Sequence, residues 1–327
     1  MTEIVTLPSY LTVKSIEQTL NACSEILDAC DNVNINASGL KFVDPFGIAM
    51  LGSCLSQAKA YGFDSCISGL NKNVGSYLNR MDCFNDVELT DFSPSYNVRH
   101  DRSDSLVELK KLEDVKMVNQ VSNELAKALV GSFNNVDLDL VINELSGYTL
   151  KELLINTLQY PISELLENSL THARRNGYCH TAVWVAGQYF KSRGIVQISV
   201  IDNGCGFLSS LKGHSQLQTT SHLDAILTAL KPRVSCNRDL GIMGDSVNQG
   251  VGLTTTVRIA EASGGRATIL SGDAFHQTDG RSSYLSNDSW QGVAVSLVFS
   301  RSKLNKVQIS ELLPVLENEP EISLRFE

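Results

Sequence analysis

The sequence predicts an α/β protein built from two domains. Three observations carry that expectation. Residues 1–92 alternate extended apolar stretches with stretches of helical spacing. Residues 181–190 (TAVWVAGQYF) and 195–201 (IVQISVI) are β-rich, with a short turn at 191–194 between them. Residues 161–173 (PISELLENSLTHA) have the periodicity of an amphipathic helix. A length of 327 residues also makes two domains the natural expectation.

In the first domain, residues 32–36 (NVNIN) read as a short strand, and 40–44 as a second extended piece that ends in the turn Asp44-Pro45. Ile48, Leu51, Leu55 and Ala58 then recur at helical spacing, with Gly62 closing the helix. Residues 64–68 predict a third strand and 74–81 a second helix. Residues 93–114 are rich in Ser, Asp and charge, including Arg99, His100, Asp101 and Arg102, and read as the linker. His100 is expected to be solvated, and 106–112 to be a strand leading into the second domain.

The second domain is expected over 115–300. Val118, Val121, Leu125, Ala128 and Leu129 form one helical stripe. Residues 133–150 read as a polar connection. The amphipathic helix is expected to begin at Pro161, because a first helical position does not need its N–H. Asn176-Gly177 is a turn. Residues 208–249 hold no clear strand; a helix at 223–230 stops at Lys231-Pro232, and Gly241, Gly244 and Gly250 punctuate the remainder. So long a weakly patterned segment reads as a lid or a disordered stretch. His214 and His222 lie in it and are expected to be solvated. Residues 254–262 predict a helix ended by Gly264-Gly265. Residues 266–271 and 292–299 predict strands around a loop-like polar insert, 272–290. Residues 301–327 form an acidic extension with a helix near 307–316.

Composition narrows the function classes. The formal charge of −9 and sequence pI of about 5.2 argue against broad nucleic-acid binding, which needs basic surface to neutralise phosphates. No apolar run reaches the length of a membrane span, and the start has no basic region followed by an apolar one. None of the eight cysteines forms a CxxC pair, and several lie in apolar segments. Reduced thiols in the cytoplasm are the expectation. Cys179-His180 is the nearest approach to a metal pair, and adjacent strand residues point apart.

The chemistry-bearing residues come in four pieces. Glu164, Asn168 and His172 stand at i, i+4 and i+8 on one helix edge, with Glu167 beside them. Alone, that edge reads equally well as a solvated face. The second β-rich run passes directly into Asp202-Asn203-Gly204-Cys205-Gly206. The lid-like segment comes next, and then Gly250, Gly252 and Leu253 open a helix. A carboxylate at a strand end is an acceptor for N–H donors. Glycines let the backbone turn tightly beside a ligand. Free N–H groups at a helix start suit phosphate oxygens. An Asn oxygen is a hard ligand of the kind that suits a divalent cation, and a carboxylate such as Glu164 is a group able to act as a general base.

Together and in this order, ELLENSLTHA (164–173), VIDNGCGF (200–207) and NQGVGLTTTVRIAEASGG (248–265) resemble the GHKL nucleotide-binding fold of gyrase, chaperones, histidine kinases and MutL. The resemblance implies a mixed sheet covered by helices on one face. It implies ATP and Mg²⁺ as cofactors, Glu164 as catalytic base and Asn168 as metal ligand. It also implies nucleotide binding by Glu167, His172, Asp202, Gly204, Gly206, Gly250, Gly252 and Leu253. His172 reads equally as facing the phosphates or as a structural hydrogen-bonding group. Residues 41–87 resemble the STAS domain of anti-anti-sigma factors, which implies an interaction or dimerisation module. In that family the strand-to-helix turn carries a phosphorylated serine; here it reads Asp44, Pro45, Phe46, Gly47, with no acceptor hydroxyl.

The chain departs from several members of these families. No phosphoacceptor-histidine helix is visible in the linker, and the 301–327 extension reads as too short for a transducer domain with a catalytic lysine. Val293 stands where many GHKL members carry a Thr near adenine. The resemblance is closest to anti-sigma serine kinases and stand-alone ATPases. The expected function is therefore ATP hydrolysis, or phosphorylation of Ser or Thr on a protein partner encoded nearby, with a homodimer as a further option. The alternative is a non-catalytic ATP-dependent switch or sensor in a stress or phage-defence complex.

Overall fold

Alternating buried and half-buried residues build the first sheet, and a helix buried on every side joins it to the second. The computed structural model describes residues 3–94, 99–131, 138–143, 145–178, 181–232, 234, 252–286, 288–304, 306–307 and 309–312. The first domain contains β1 (Glu3–Thr6), β2 (Tyr10–Leu11), α1 (Ile16–Asp28), β3 (Val33–Asn36), β4 (Phe42–Val43), α2 (Pro45–Ala60), β5 (Ser65–Ser68), α3 (Lys72–Arg80) and β6 (Glu88–Leu89). The order β1-β3-β5-β6 makes a four-stranded sheet whose paired neighbours are all parallel. β2 and β4 pair separately, Tyr10 opposite Phe42 and Leu11 opposite Val43.

Asp44 caps α2, its side chain accepting from Gly47 N, with Pro45 in the first turn where no N–H is needed. Thirteen of the sixteen residues of α2 are buried. A helix apolar on all sides needs cover on all sides. α2 has its own domain on one side and the second sheet on the other.

The second domain begins with β7 (Leu106–Leu112), inside the expected linker. It continues with α4 (Val118–Val130), β8 (Val141–Asn143), β9 (Tyr148–Thr149), α5 (Leu150–Ala173), β10 (Val183–Phe190), β11 (Ile195–Asp202), α6 (Gly206–Ser210) and α7 (His222–Ala229). Then come α8 (Gly252–Ala262), β12 (Arg266–Gly272), β13 (Ala274–Gln277), β14 (Ser282–Tyr284), β15 (Trp290–Ser300), α9 (Arg301–Leu304) and α10 (Ile309–Leu312). The sheet order is β14-β13-β12-β15-β11-β10-β7, and every neighbouring pair is antiparallel. This corrects the expectation of a mixed sheet. The successive strands β10–β11 and β12–β13–β14 are joined by short turns, which impose antiparallel pairing, and β15 returns between β12 and β11.

Among the described residues the second domain's own helices cover one face of this sheet, and the first domain's α2 covers the other. Val183, Val185, Val196, Ile198 and Val200 face the core shared with α4, α5 and α8. The alternate residues Trp184, Ala186 and Ile201 join the core around α2. The layers therefore run helices, antiparallel sheet, α1 and α2, parallel sheet. At the sheet edge, Leu109 N donates to Met81 O at 3.0 Å, Arg80 pairs with Glu108 and the Tyr77 hydroxyl bonds Gln188.

Three further expectations change. Pro161 does not start its helix but lies inside α5. The start is fixed by a capping box, with Thr149 N donating to Glu152 Oε2 at 2.8 Å and Glu152 N to Thr149 Oγ1 at 3.3 Å. Ile155, Leu158, Ile162, Leu165 and Leu166 keep one buried stripe across the proline, and that burial outweighs one lost backbone hydrogen bond. The insert 272–290 is not a loop: β13 and β14 extend the sheet from β12, with Ala274 and Phe275 contributing buried side chains. Of the lid-like segment, 208–230 carries the end of α6 and all of α7, packed on the sheet. Residues 233 and 235–251 lie outside the described residues.

Neither histidine of that segment is simply solvated. His214 is buried, and its Nδ1 accepts from Gln216 N at 3.1 Å. His222 sits over Gly272, its Nδ1 2.7 Å from Asp273 Oδ1. Cys179 and His180 lie outside the described residues. α9 follows β15 directly. Arg301 in it is buried, lies 3.5 Å from the Tyr189 ring centroid and donates to the carbonyls of Asp104 and Ala128. Among the described residues no helix is long and apolar enough to cross a membrane.

Candidate functional site

The site forms where the end of β11 meets the last turns of α5. Val196, Ile198 and Val200 of β11 face the helices, and the strand's two-residue period puts Asp202 on that same side. Asp202 is buried. Its Oδ1 accepts from Gly204 N at 2.9 Å and Val293 N at 3.2 Å, and its backbone carbonyl accepts from Trp290 Nε1 at 2.8 Å. Burial pushes the carboxyl up to about 7 against the pull of these two N–H groups.

The turn after Asp202 lies on the C-terminal end of α5. Cys205 N donates to Ala173 O at 3.2 Å, and Cys205 Sγ lies 3.3 Å from His172 O. A Cβ on Gly204 would lie 2.5 Å from Ala173 Cα, so the approach requires glycine. Gly206 has φ +71, and a Cβ there would meet Gln291 O at 2.7 Å.

A cavity of about 90 Å³ opens between these pieces. Asn168, His172, Asp202, Gly206, Phe207 and Leu253 line it, and Leu211 and Ala229 close it from the segment that carries α6 and α7. The lining is mainly apolar, with Asp202 as its acidic group. The His172 imidazole is pushed down to about 4, first by burial and then by Arg175, so it is neutral at neutral pH.

Glu164 and Glu167 stand outside this cavity. Glu164 is half-buried, and its carboxyl is raised by burial and then by Glu167. Gly252, the first residue of α8, packs directly against it. A Cβ at Gly252 would lie 2.6 Å from Leu165 N and 2.7 Å from Glu164 C. The two helices touch at a glycine, which brings the start of α8 beside Glu164.

The structure therefore brings Asn168, His172, Asp202, Gly206 and Leu253 to one cavity, with the Gly204 turn against its wall, and joins Gly252 to Glu164. Gly250 lies outside the described residues. The support that Asp202 receives from β12 and β15 was missed in the sequence. A Cβ on Gly292 would overlap the Asp202 carbonyl and lie 2.6 Å from its Oδ1. Ser271 Oγ donates to Gly292 O at 2.9 Å and accepts from Phe207 N at 3.1 Å. The available signal was the glycine itself, since glycine in a strand marks close backbone approach.

Both backbone donors to the Asp202 side chain go to Oδ1, so Oδ2 is the oxygen left to meet a ligand in the cavity. A buried carboxylate in an apolar slot suits a flat heterocycle with an exocyclic N–H. Among the described residues no group of three or more His, Cys, Asp or Glu is placed to hold a metal ion. Asn168, which lines the cavity, has one hard side-chain oxygen. No protein-family model matches the chain, and no curated protein or solved structure matches it.

Proposed function

We propose that this protein is a GHKL-type ATP-binding regulator that turns over ATP, by hydrolysis or by phosphorylating Ser or Thr of a partner protein. The observation that carries the reading is the Asp202 carboxylate, held through Oδ1 by Gly204 and Val293 in a cavity walled by Asn168 and His172. Asp202 accepts the adenine amino group. The N–H groups at the start of α8, from Gly252, meet phosphate oxygens. Mg²⁺, when bound with the nucleotide, would supply charge neutralisation at the phosphates, and Asn168 would be its ligand from the chain. Glu164 stands one turn before Asn168, and its raised carboxyl favours proton uptake. It takes the proton of a water or hydroxyl as that oxygen bonds to the γ-phosphorus and the bond to ADP breaks.

The first domain supports a regulatory rather than a metabolic role. It is read as STAS-like, and its α2 lies against the chain's own sheet, opposite the cavity. A protein partner then meets other faces of that domain. The protein works in the cytoplasm on this reading.

The deciding experiment incubates the full chain with γ-labelled ATP and Mg²⁺, alone and with proteins encoded beside it. Labelled partner means a kinase, and free phosphate means an ATPase. Glu164→Gln is expected to keep ATP binding and to lose at least about tenfold in turnover. Binding without turnover in the unaltered chain leaves the sensor reading. Absence of saturable ATP binding overturns the proposal.

A further inference from the structure

A second cleft lies between the two sheets, away from Asp202. It has a volume of about 860 Å³, within the range of small-molecule sites. One wall is the short β2–β4 pair. Its register sets Tyr10 beside Phe42, and its alternation sends Leu11 and Val43 into the core. Tyr10 and Phe42 are consequently left outward, 50% and 37% exposed. The facing wall holds Phe190, at the end of β10, with its ring centroid 6.3 Å from that of Phe42. Three aromatic rings from two domains thus border one space.

Cations arrive from three separate elements. Lys14 follows β2, Arg193 sits in the β10–β11 turn and Arg266 opens β12. The Arg193 guanidinium lies 5.8 Å from the Phe190 ring centroid. Arg266 Nε is buried with no hydrogen-bond partner among the described residues. Two carboxyls also line the cleft. Asp279 stands 3.9 Å from Arg266 Nη1, too far for a tight pair. Asp44 is buried in the floor, and its oxygens are taken by Gly47 N, Val13 N and Gln197 Nε2. Three cations facing one poorly paired and one fully occupied carboxyl leave the cleft an excess of positive charge, in a chain whose formal charge is −9.

We infer that this cleft binds a flat aromatic molecule carrying a phosphate or carboxylate group. The rings stack on its aromatic plane, and the arginines and Lys14 take its charge. A ligand there touches both domains, because Tyr10 and Phe42 belong to the first and Phe190, Arg193 and Arg266 to the second. This inference stands independently of the ATP reading, since it uses none of the residues around Asp202.

The test titrates the full chain with four probes: 2-naphthyl phosphate, 2-naphthoate, neutral 2-naphthol and inorganic phosphate. One or both naphthyl anions are expected to bind at a single saturable site, at least about tenfold tighter than naphthol or phosphate alone. The anion that wins says whether the ligand carries phosphate or carboxylate. Arg193→Gln lies on an exposed turn and is expected to keep the fold while weakening the better anion about fivefold or more. Phe190→Leu is expected to weaken it by about threefold or more. Arg266→Gln should do the same as Arg193→Gln where it folds. No saturable anion binding, equal binding of naphthol, or affinity unchanged in both Arg193→Gln and Phe190→Leu each overturns the inference.

Discussion

Gln197 Nε2 donates to Asp44 Oδ2 at 3.0 Å across the junction of the two sheets. Gln197 lies on β11, five residues before Asp202, and the same Nε2 stands 3.0 Å from Ser296 Oγ on β15. Asp44 also accepts from Val13 N and Gly47 N. On the STAS-like reading, the turn that carries a phosphorylated serine in that family is in this chain a buried connector. It leads to the strand that bears the candidate base-reading residue.

That connector predicts a stability effect. Asp44→Ala would leave Val13 N, Gly47 N and Gln197 Nε2 without their acceptor in a buried place. The expected cost is about 2–5 kcal/mol, measured by urea unfolding. In a double-mutant cycle with Gln197→Ala, a coupling of about 1 kcal/mol or more is expected. Additive losses would mean that the two side chains do not support each other.

The glycines near Asp202 predict a graded series. Gly292→Ala would drive a Cβ into the Asp202 carbonyl, and Gly204→Ala would drive one into Ala173. Both are expected to cost about 2–4 kcal/mol and, on the proposed ATP reading, to lose ATP affinity together with stability. Gly213 has φ +86 but open space where its Cβ would lie, so Gly213→Ala is expected to cost only about 1 kcal/mol, from backbone strain alone. Thermal melts of the three variants check the order. Equal losses would show that contact with Asp202 and Ala173 is not what fixes these glycines.

Much of this site was legible because its elements are short-range patterns. The edge carrying Asn168 and His172 comes from helical spacing, and the strand running into Asp202 from β-rich residues meeting glycines. The illegible part is set by pairing between distant segments. Gly292 and Val293 reach Asp202 only because β15 inserts between β12 and β11. The strands β13 and β14 are three or four residues of polar and aromatic sequence, too short for periodicity to announce. Pro161 misled because a local rule for helix starts lost to a buried stripe that runs through it. The sequence showed one helical stripe in α2, Ile48, Leu51, Leu55 and Ala58; burial on its other sides depends on the second sheet, a distant segment that local spacing does not announce.

Asp202 gives a pH-dependent prediction. Its folded carboxyl is raised to about 7 from the ordinary value of 3.8. The folded state therefore holds this proton more tightly than the unfolded chain. The resulting stability is fully present at acid pH, falls as pH rises from 3.8 towards about 7, and is gone above that. Asp202→Asn removes the buried charge while keeping an oxygen for Gly204 N and Val293 N. It is expected to stabilise the protein at about pH 8 by on the order of 2–4 kcal/mol, and by far less at about pH 5. On the proposed ATP reading, ATP affinity should fall in the same variant at about pH 8, because the amide is a weaker acceptor for the base. A variant that melts no higher than the unaltered chain at the alkaline pH would contradict the burial cost, and unchanged affinity would remove Asp202 from base reading.

His172 titrates with the opposite sign. Its folded pKa is lowered to about 4 from 6.5, mainly by burial, so the unfolded chain takes up the proton first. The stability it contributes is present above 6.5 and is lost as pH falls through that value towards about 4. The loss is expected to be about 1–3 kcal/mol over that window. His172→Gln cannot take up this proton, so its stability curve should be flatter than that of the unaltered chain in the same interval. Subtracting the two curves isolates the imidazole from the carboxyls, Asp202 among them, that titrate in the same range. Curves that stay parallel from about pH 7 to about pH 4 would mean that the ring is protonated in the fold as readily as in water, and that the cavity wall does not exclude its charge.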